Sequence, residues 1–437
     1  MKNMKITLLI AGIAAGVIQS GMRSLHAAPV PSASVPPPAT LPNGIRVVSL
    51  YFPGSTNVSI FSFLPLGLAE DAPRQTQWSH LVEHLVIRST IPGDLSMANA
   101  ETSPDGMHLD FYGNIGNWKQ GLTHHRRWLE GVPFTQTNLL AEKPKVKSEG
   151  ENVASRFFTH KFALAAWAQG FRHDQTNAAV QGDIDRASLN DIQMYRDNHL
   201  VVLTNVVVCV VGGLDPVEVQ AAVAEQLGAI KSSARPVAPV KLHPGNREMT
   251  WDLKARHLVI TWPIPAPEVG DFAPLLVAAQ WLNQQLFQDP ELKGLTGAAF
   301  AGADLTIPEG SFFYFSASLR PGASFQEVRQ KWERHLQLLN SADPDLVLML
   351  CRQLAESLTT IPDLASLKAQ LPATVKPAML EGNLGLQWGI NEYHYGPNRT
   401  ALAKRISELT AQDVQRAASC YLLASKASAI TLTPSTP

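Results

Sequence analysis

A proline-bearing break, SSARPVAPVKLHPG from Ser232 to Gly245, divides the sequence into two parts that end alike. Pro236 and Pro239, followed by Pro244-Gly245, interrupt any helix or central strand. Before the break, SLNDIQMYRDNHL (188–200) runs into NVVVCVVG; at the end of the second part, ELTAQDVQRAASCYL (408–422) runs into ASAITLTP. Each opens on a Ser or Thr cap, carries an apolar stripe at helical spacing and ends in a strand-like run. The shared elements are Leu189 with Asp191-Ile192-Gln193, and Leu409 with Asp413-Val414-Gln415. The repeat predicts an α+β fold of two homologous domains. Length agrees, because 437 residues exceed the roughly 250 to 300 at which a single core stops growing. The expected limits are 42–231 for the first domain, 232–245 for the linker and 246–437 for the second domain.

The start of the chain places Lys2 and Lys5 before an apolar run from Ile6 to Ile18, with Ala27 and Ala28 soon after. That pattern reads as a secretory signal over residues 1–28, with a retained anchor as the weaker reading, and PVPSASVPPPATL (29–41) reads as an extended tether behind it. The expected location is periplasmic or otherwise exported. A bilayer span needs about 20 apolar residues, so no stable membrane span is expected. Lys plus Arg number 36 against 37 for Asp plus Glu, which gives no net field to draw nucleic acid or an anionic membrane. Cys209, Cys351 and Cys420 form an odd set without a disulfide framework, and Cys209 inside VVVCVV reads as a buried, inert thiol. IRVVSLYF and VSIFSFLPL, on either side of Pro53-Gly54, read as strands.

The chemistry lies in WSHLVEHLVI, which holds His80, Glu83 and His84. On a helix, residues four apart share a face one turn from each other, so the two imidazoles are able to share a tetrahedral zinc. Glu83, beside His84, is then in reach of a zinc-activated water and takes its proton as general base. The five residues alone also admit a blander reading, two surface histidines flanking a solvated glutamate. A catalytic zinc needs three protein ligands and an open position, so a third ligand has to come from elsewhere.

His-x-x-Glu-His resembles the inverted zinc motif of the pitrilysin and insulinase metallopeptidases, to which the mitochondrial processing peptidase subunits also belong. LPNGIRVV, LPLGLAEDAPRQTQWSHLVEHLV and GDIDRASLNDIQMYRDNHLVVLTNVVVCVVGGLDPVEV resemble that family's opening strand, its lead into the zinc helix, and its later helix, strand and turn. The resemblance implies a clam-like half, each of its two domains a mainly antiparallel sheet flanked by helices, and one Zn2+ per chain. It also implies a third ligand glutamate on a later helix, with a second glutamate seven residues earlier. AEKPKVKSEGENV offers Glu149 as that ligand and Glu142 as the residue that buttresses a histidine, with Glu151 as a rival ligand. Pro144 and Gly150 are unfavourable inside such a helix.

SMANAETSPDGMHLDFYG reads as two strands around Pro104-Asp105-Gly106, and Asn99-Ala100 resembles the edge strand on which family members bind peptide. His108 reads as a surface or packed residue, and His124-His125-Arg126-Arg127 as a solvated helix face. The family's arginine and tyrosine are missing from FQDPELKGLTGAAFAGADL, where Thr296-Gly297-Ala298 stands in the tyrosine's place. The resemblance therefore implies an exported zinc metallopeptidase subunit acting on short or unfolded peptides, in a dimer with a related subunit that supplies the missing pair. The alternative is a non-catalytic family member that serves binding or assembly.

Overall fold

The computed structural model describes residues 36–90, 98–103, 105–154, 177–200, 205–231, 245–251, 254–307, 310–362, 364 and 376–434. The expected signal (1–28), most of the expected tether (29–41) and all but Gly245 of the expected linker (232–245) lie outside the described residues. Residues 33–437 hold together as one unit.

Among the described residues, alternating and continuous apolar runs build two sheets. The first contains β1 (Ala39–Thr40), β2 (Arg46–Tyr51), β3 (Asn57–Leu64), β4 (Ala98–Thr102), β5 (Met107–Asn114) and β6 (Val207–Gly212), in the order β1-β2-β6-β3-β5-β4. The second contains β7 (Arg247–Trp251), β8 (His257–Ile264), β9 (Thr296–Ile307), β10 (Gly310–Leu319) and β11 (Ser428–Pro434), in the order β7-β11-β8-β10-β9. β6 runs parallel to β2 and antiparallel to β3; β11 runs parallel to β7 and antiparallel to β8. Apart from the short β1, the sheets share one connectivity, and the repeat read from the sequence supplies the same strand in each.

The helices before those strands also match. α1 (Trp78–Thr90), α2 (Trp118–Glu130), α3 (Gln136–Ala154), α4 (Asn177–Arg186), α5 (Leu189–His199) and α6 (Pro216–Leu227) belong to the first half. The second half has α7 (Phe272–Gln288), α8 (Pro290–Leu295), α9 (Phe325–Leu339), α10 (Pro344–Thr359), α11 (Pro377–Tyr395), α12 (Arg399–Ser407) and α13 (Ala411–Tyr421). Ser188 caps α5 by accepting from Asp191 N, and Thr410 caps α13 by accepting from Asp413 N.

One face of the first sheet packs Val208, Leu109 and Phe111 against Leu81 and Leu85 of α1 and Leu122 and Trp128 of α2. Its other face, with Val48, Phe61, Phe63, Cys209 and Val211, is covered by Trp388 of α11, a helix from the second half of the sequence. Both faces are dry, which explains the uninterrupted apolar run of β6. Cys209 is fully buried here, and burial raises its thiol pKa.

α11 sits close because it carries glycines where it meets the sheet. A Cβ on Gly385 would lie 2.2 Å from Val211 Cγ2, and one on Gly389 2.2 Å from Phe63, whereas one on Gly382 would meet Ser59 Oγ at an ordinary 3.4 Å. Arg46 fixes the same helix, pairing with the Glu392 carboxylate at 3.1 Å and donating to the Glu392 carbonyl at 2.6 Å. Arg399 lies 3.5 Å from that carboxylate and stacks on Trp388.

The expectation of a solvated face at 124–127 needs correction at one residue. His125 is fully buried against Trp128, with its Nδ1 2.6 Å from Ser62 Oγ, because it falls on the α2 stripe that also carries Leu122 and Leu129. Burial, reinforced by the neighbouring His124, pushes its pKa down to about 3.

Alanine at Gly385 or Gly389 is expected to lower stability by about 1–3 kcal/mol through overpacking, while alanine at Gly382 raises it by up to about 1 kcal/mol through helix propensity. Urea unfolding of the three variants reads this change of sign. A histidine held neutral by the fold supports stability above its unfolded pKa and loses that support as pH falls towards the folded value. Below pH 6.5, His125 should cost about 1.4 kcal/mol per pH unit, and His125→Gln, compared with the parent across pH 6.5 to 4, should flatten the curve by one proton.

Candidate metal centre

The N-terminus of α1 is anchored before its histidines are placed. The fully buried Asp71 accepts from Ser79 N at 3.0 Å and from the Tyr195 hydroxyl of α5 at 2.7 Å. Asp183 of α4 accepts from Thr76 N at 3.0 Å. These bonds hold Gln77 at φ +67°, a left-handed conformation that is costly for a residue with a side chain. In return, Gln77 Oε1 lies 2.8 Å from His80 Nδ1, one turn along the chain.

α1 buries Leu81, Val82, Leu85 and Val86 and leaves His80 and His84 partly exposed on an adjoining face, against α3. α3 runs continuously from Gln136 to Ala154 with Pro144 inside it, so Glu142 and Glu149, seven residues and about two turns apart, share a face. Pro144 does not end the helix, contrary to what proline at that position leads one to expect. Glu149 Oε2 lies 3.4 Å from His80 Nε2 and 3.3 Å from His84 Nε2. His84 Nδ1 lies 3.1 Å from Glu142 Oε2, and Glu142 is almost fully buried with Lys145 2.8 Å from its other oxygen.

The hydrogen bonds set the tautomers. With Nδ1–H donating to Gln77 on His80 and to Glu142 on His84, each ring aims its Nε2 at Glu149; protonated, that nitrogen donates to the carboxylate, and deprotonated, its lone pair is free for a metal. His80, His84 and Glu149 offer ligand atoms within 4.8 Å of one another, the one such cluster among the described residues. A tetrahedral site with arms of about 2.0–2.1 Å has edges of roughly 3.3–3.4 Å, the length of both histidine-to-glutamate separations. Two imidazoles and one carboxylate fit a catalytic zinc, which keeps a fourth position open.

The electrostatics suit a cation. Although burial opposes the charge on His84, hydrogen bonds to Glu142 and Glu149 and the charge of Glu83 push its pKa up to about 10. Hydrogen bonds from His80 and then His84 hold Glu149 well below the usual carboxylate range. Glu142 is also lowered: burial works against its charge, but bonds from His84 and Lys145 outweigh it. The field that holds a proton on His84 also favours a divalent ion in its place.

Glu83 is buried beside His84, and the Thr102 hydroxyl donates to its Oε2 at 2.5 Å. Thr102 ends β4, the strand at the edge of the first sheet that also carries the exposed Asn99 and the partly buried Ala100. Asn99 and Ala100 pair with Asp110 and Leu109 of β5. The side chain of Glu151 lies outside the described residues. His108 is packed, not ligating: its Nδ1 lies 2.7 Å from the buried Asp110, and although burial opposes it, the Asp110 charge raises its pKa to about 10. Thr296, in the place of the missing tyrosine, is buried and donates to Leu292 O at 2.8 Å. Gln77 and Thr102 were not singled out by the sequence. Gln77 has a local signal, one turn before His80, whereas Thr102 lies 19 residues from Glu83 and has none.

The comparisons with known proteins agree with the family resemblance. Residues 186–345 match the family model described as Peptidase M16 inactive domain. No curated protein sequence matches the chain. The fold is that of a protease from Helicobacter pylori (TM-score 0.66, 17% identity, 93% of this chain and 100% of that one). It is also that of the first half of the periplasmic protease PqqL from Escherichia coli (TM-score 0.60, 16% identity, 93% of each chain). Pitrilysin is similar as well, at TM-score 0.65 and 14% identity over 96% of this chain and 46% of its own.

Removing the buttress without removing a ligand should weaken zinc: Glu142→Ala is expected to lower affinity by about 10–100-fold in a chelator competition. Glu149→Ala should abolish stoichiometric zinc in the same assay, and Glu151→Ala should leave it intact.

Proposed function

We propose that this chain, an M16-family protein by its matched domain and its fold, is the zinc-bearing subunit of an exported peptidase that hydrolyses short or unfolded peptides. The observation that carries the proposal is the convergence of His80, His84 and Glu149 beside a buried Glu83. The description "inactive domain" applies to residues 186–345, which begin after all four of these residues. It therefore bears on the later part of the chain, where the family's arginine and tyrosine are missing.

Zinc, when bound by His80, His84 and Glu149, polarises the scissile carbonyl and acidifies water. Glu83 accepts the proton of the attacking water, whose oxygen bonds to the carbonyl carbon. As the carbon–nitrogen bond breaks, Glu83 returns that proton to the leaving amine. Glu142 keeps His84 oriented throughout. An extended peptide adds to β4, the last strand of its sheet among the described residues, near Asn99 and Ala100, through backbone pairing. The missing arginine and tyrosine make a related second subunit the expected partner. Export is supported by the signal-like residues 1–28 and by a periplasmic protein among the structural neighbours.

A second reading, a non-catalytic binding or assembly subunit, draws on the matched model's description. The two separate on Glu83→Gln, which is expected to keep stoichiometric zinc and lose at least about 100-fold in hydrolysis of a quenched peptide library, the range of general-base catalysis. The assay is run on the mature chain alone and mixed with a related subunit. Hydrolysis undiminished in Glu83→Gln would sink the mechanism, and a chain without zinc or cleavage in either sample would be the non-catalytic subunit.

A further inference from the structure

We propose that Thr102 is a positioning residue for the Glu83 carboxylate, held in place by a turn that α11 anchors from the second half of the chain. The inference rests on the peptidase reading above for what Glu83 does, but the contact itself does not.

An ionised carboxylate has about four acceptor positions, and a buried one is costly unless hydrogen bonds compensate it. Glu83 is 7% exposed, and among the described residues the hydroxyl that serves it is that of Thr102, at 2.5 Å. That length belongs to the charge-assisted class of hydroxyl-to-carboxylate bonds. One oxygen of Glu83 is therefore tethered, which restricts the swing of a side chain with three rotatable bonds and leaves its remaining acceptor positions for a reacting water.

Thr102 is itself well held. It is the last residue of β4 and pairs with Met107. The next residue, Ser103, donates its N–H to Gly106 O at 2.8 Å and accepts from Leu68 N at 3.0 Å. Ser103 Oγ donates to Asp105 Oδ1 at 2.6 Å, and the other Asp105 oxygen lies 3.0 Å from His394 Nε2 of α11. Tyr393, also of α11, donates to the Asp105 carbonyl at 3.0 Å. A Cβ at Gly106 would meet Leu64 O and the Tyr393 hydroxyl, both at 3.0 Å, so the turn lies tightly against α11. The residue that holds Glu83 is thus itself supported by packing and hydrogen bonds from α11, which is the arrangement that precise placement of a base requires.

The test compares the full mature chain with Thr102→Val, which keeps the shape and removes the hydroxyl, and Thr102→Ser, which restores it. In the zinc-loaded proteins, mixed with the partner subunit where one is needed, Thr102→Val is expected to lower kcat about 10–100-fold with KM within about two-fold and zinc content unchanged. Thr102→Ser should recover most of the rate. Crystal structures of the metal-free parent and Thr102→Val provide the readout that does not depend on activity: the Glu83 carboxylate should leave its place in the variant. A parent that hydrolyses nothing defeats the peptidase reading and leaves the crystal structures to decide on Thr102. An unmoved Glu83 in Thr102→Val, a full rate in that variant, or loss of zinc along with rate would each overturn the positioning role.

Discussion

The site depends on the packing of α1 against α3. On α1, a spacing of four residues stacks His80 on His84; on α3, a spacing of seven stacks Glu142 and Glu149. When the two faces meet, one carboxylate falls between both Nε2 atoms and the other behind a single Nδ1. All three candidate ligands stand on these two helices, so their geometry is set by how the helices pack. The apolar stripe of α1 on the first sheet and the hydrogen bonds of Asp71 and Asp183 at its start fix the remaining freedom.

The first sheet, in turn, is completed by a helix from the other half. α11 contributes Trp388 to its outer core, and its glycines permit an approach that larger residues would forbid. The Arg46–Glu392–Arg399 cluster is buried at that contact, where burial lowers both guanidinium pKa values and raises that of Glu392. A buried cluster of this kind adds little net stability over an apolar packing, but leaving one member unpaired is costly. Its effect is to tie the position of α11, and with it the turn after β4, to a single arrangement.

The two halves share a strand connectivity but not a site. In the first, the helix of the histidines meets the edge strand β4, whose last residue contacts Glu83. The second has the same sheet without such a cluster among the described residues, and its core is filled by Phe313, Phe315 and Trp332. One copy of the fold holds the candidate ligands, and the other contributes α11, whose Tyr393 and His394 meet Asp105 after β4.

The sequence alone determined the class of fold and the repeat and pointed to a candidate zinc motif, because each is written in local spacing. Periodicity marks helix and strand, and capped segments before β6 and β11 mark the duplication. His80, Glu83 and His84 are close enough in the chain for one helix to bring them together. Glu149, the candidate third ligand, was legible only through a family resemblance, and proline and glycine in its helix argued against it. The structure carries the helix through Pro144, because packing against α1 and α4 outweighs a local penalty. Thr102, the burial of His125 and the support from α11 were decided by tertiary structure alone. Each depends on residues far apart in sequence, and no spacing along a chain records which distant surfaces will meet.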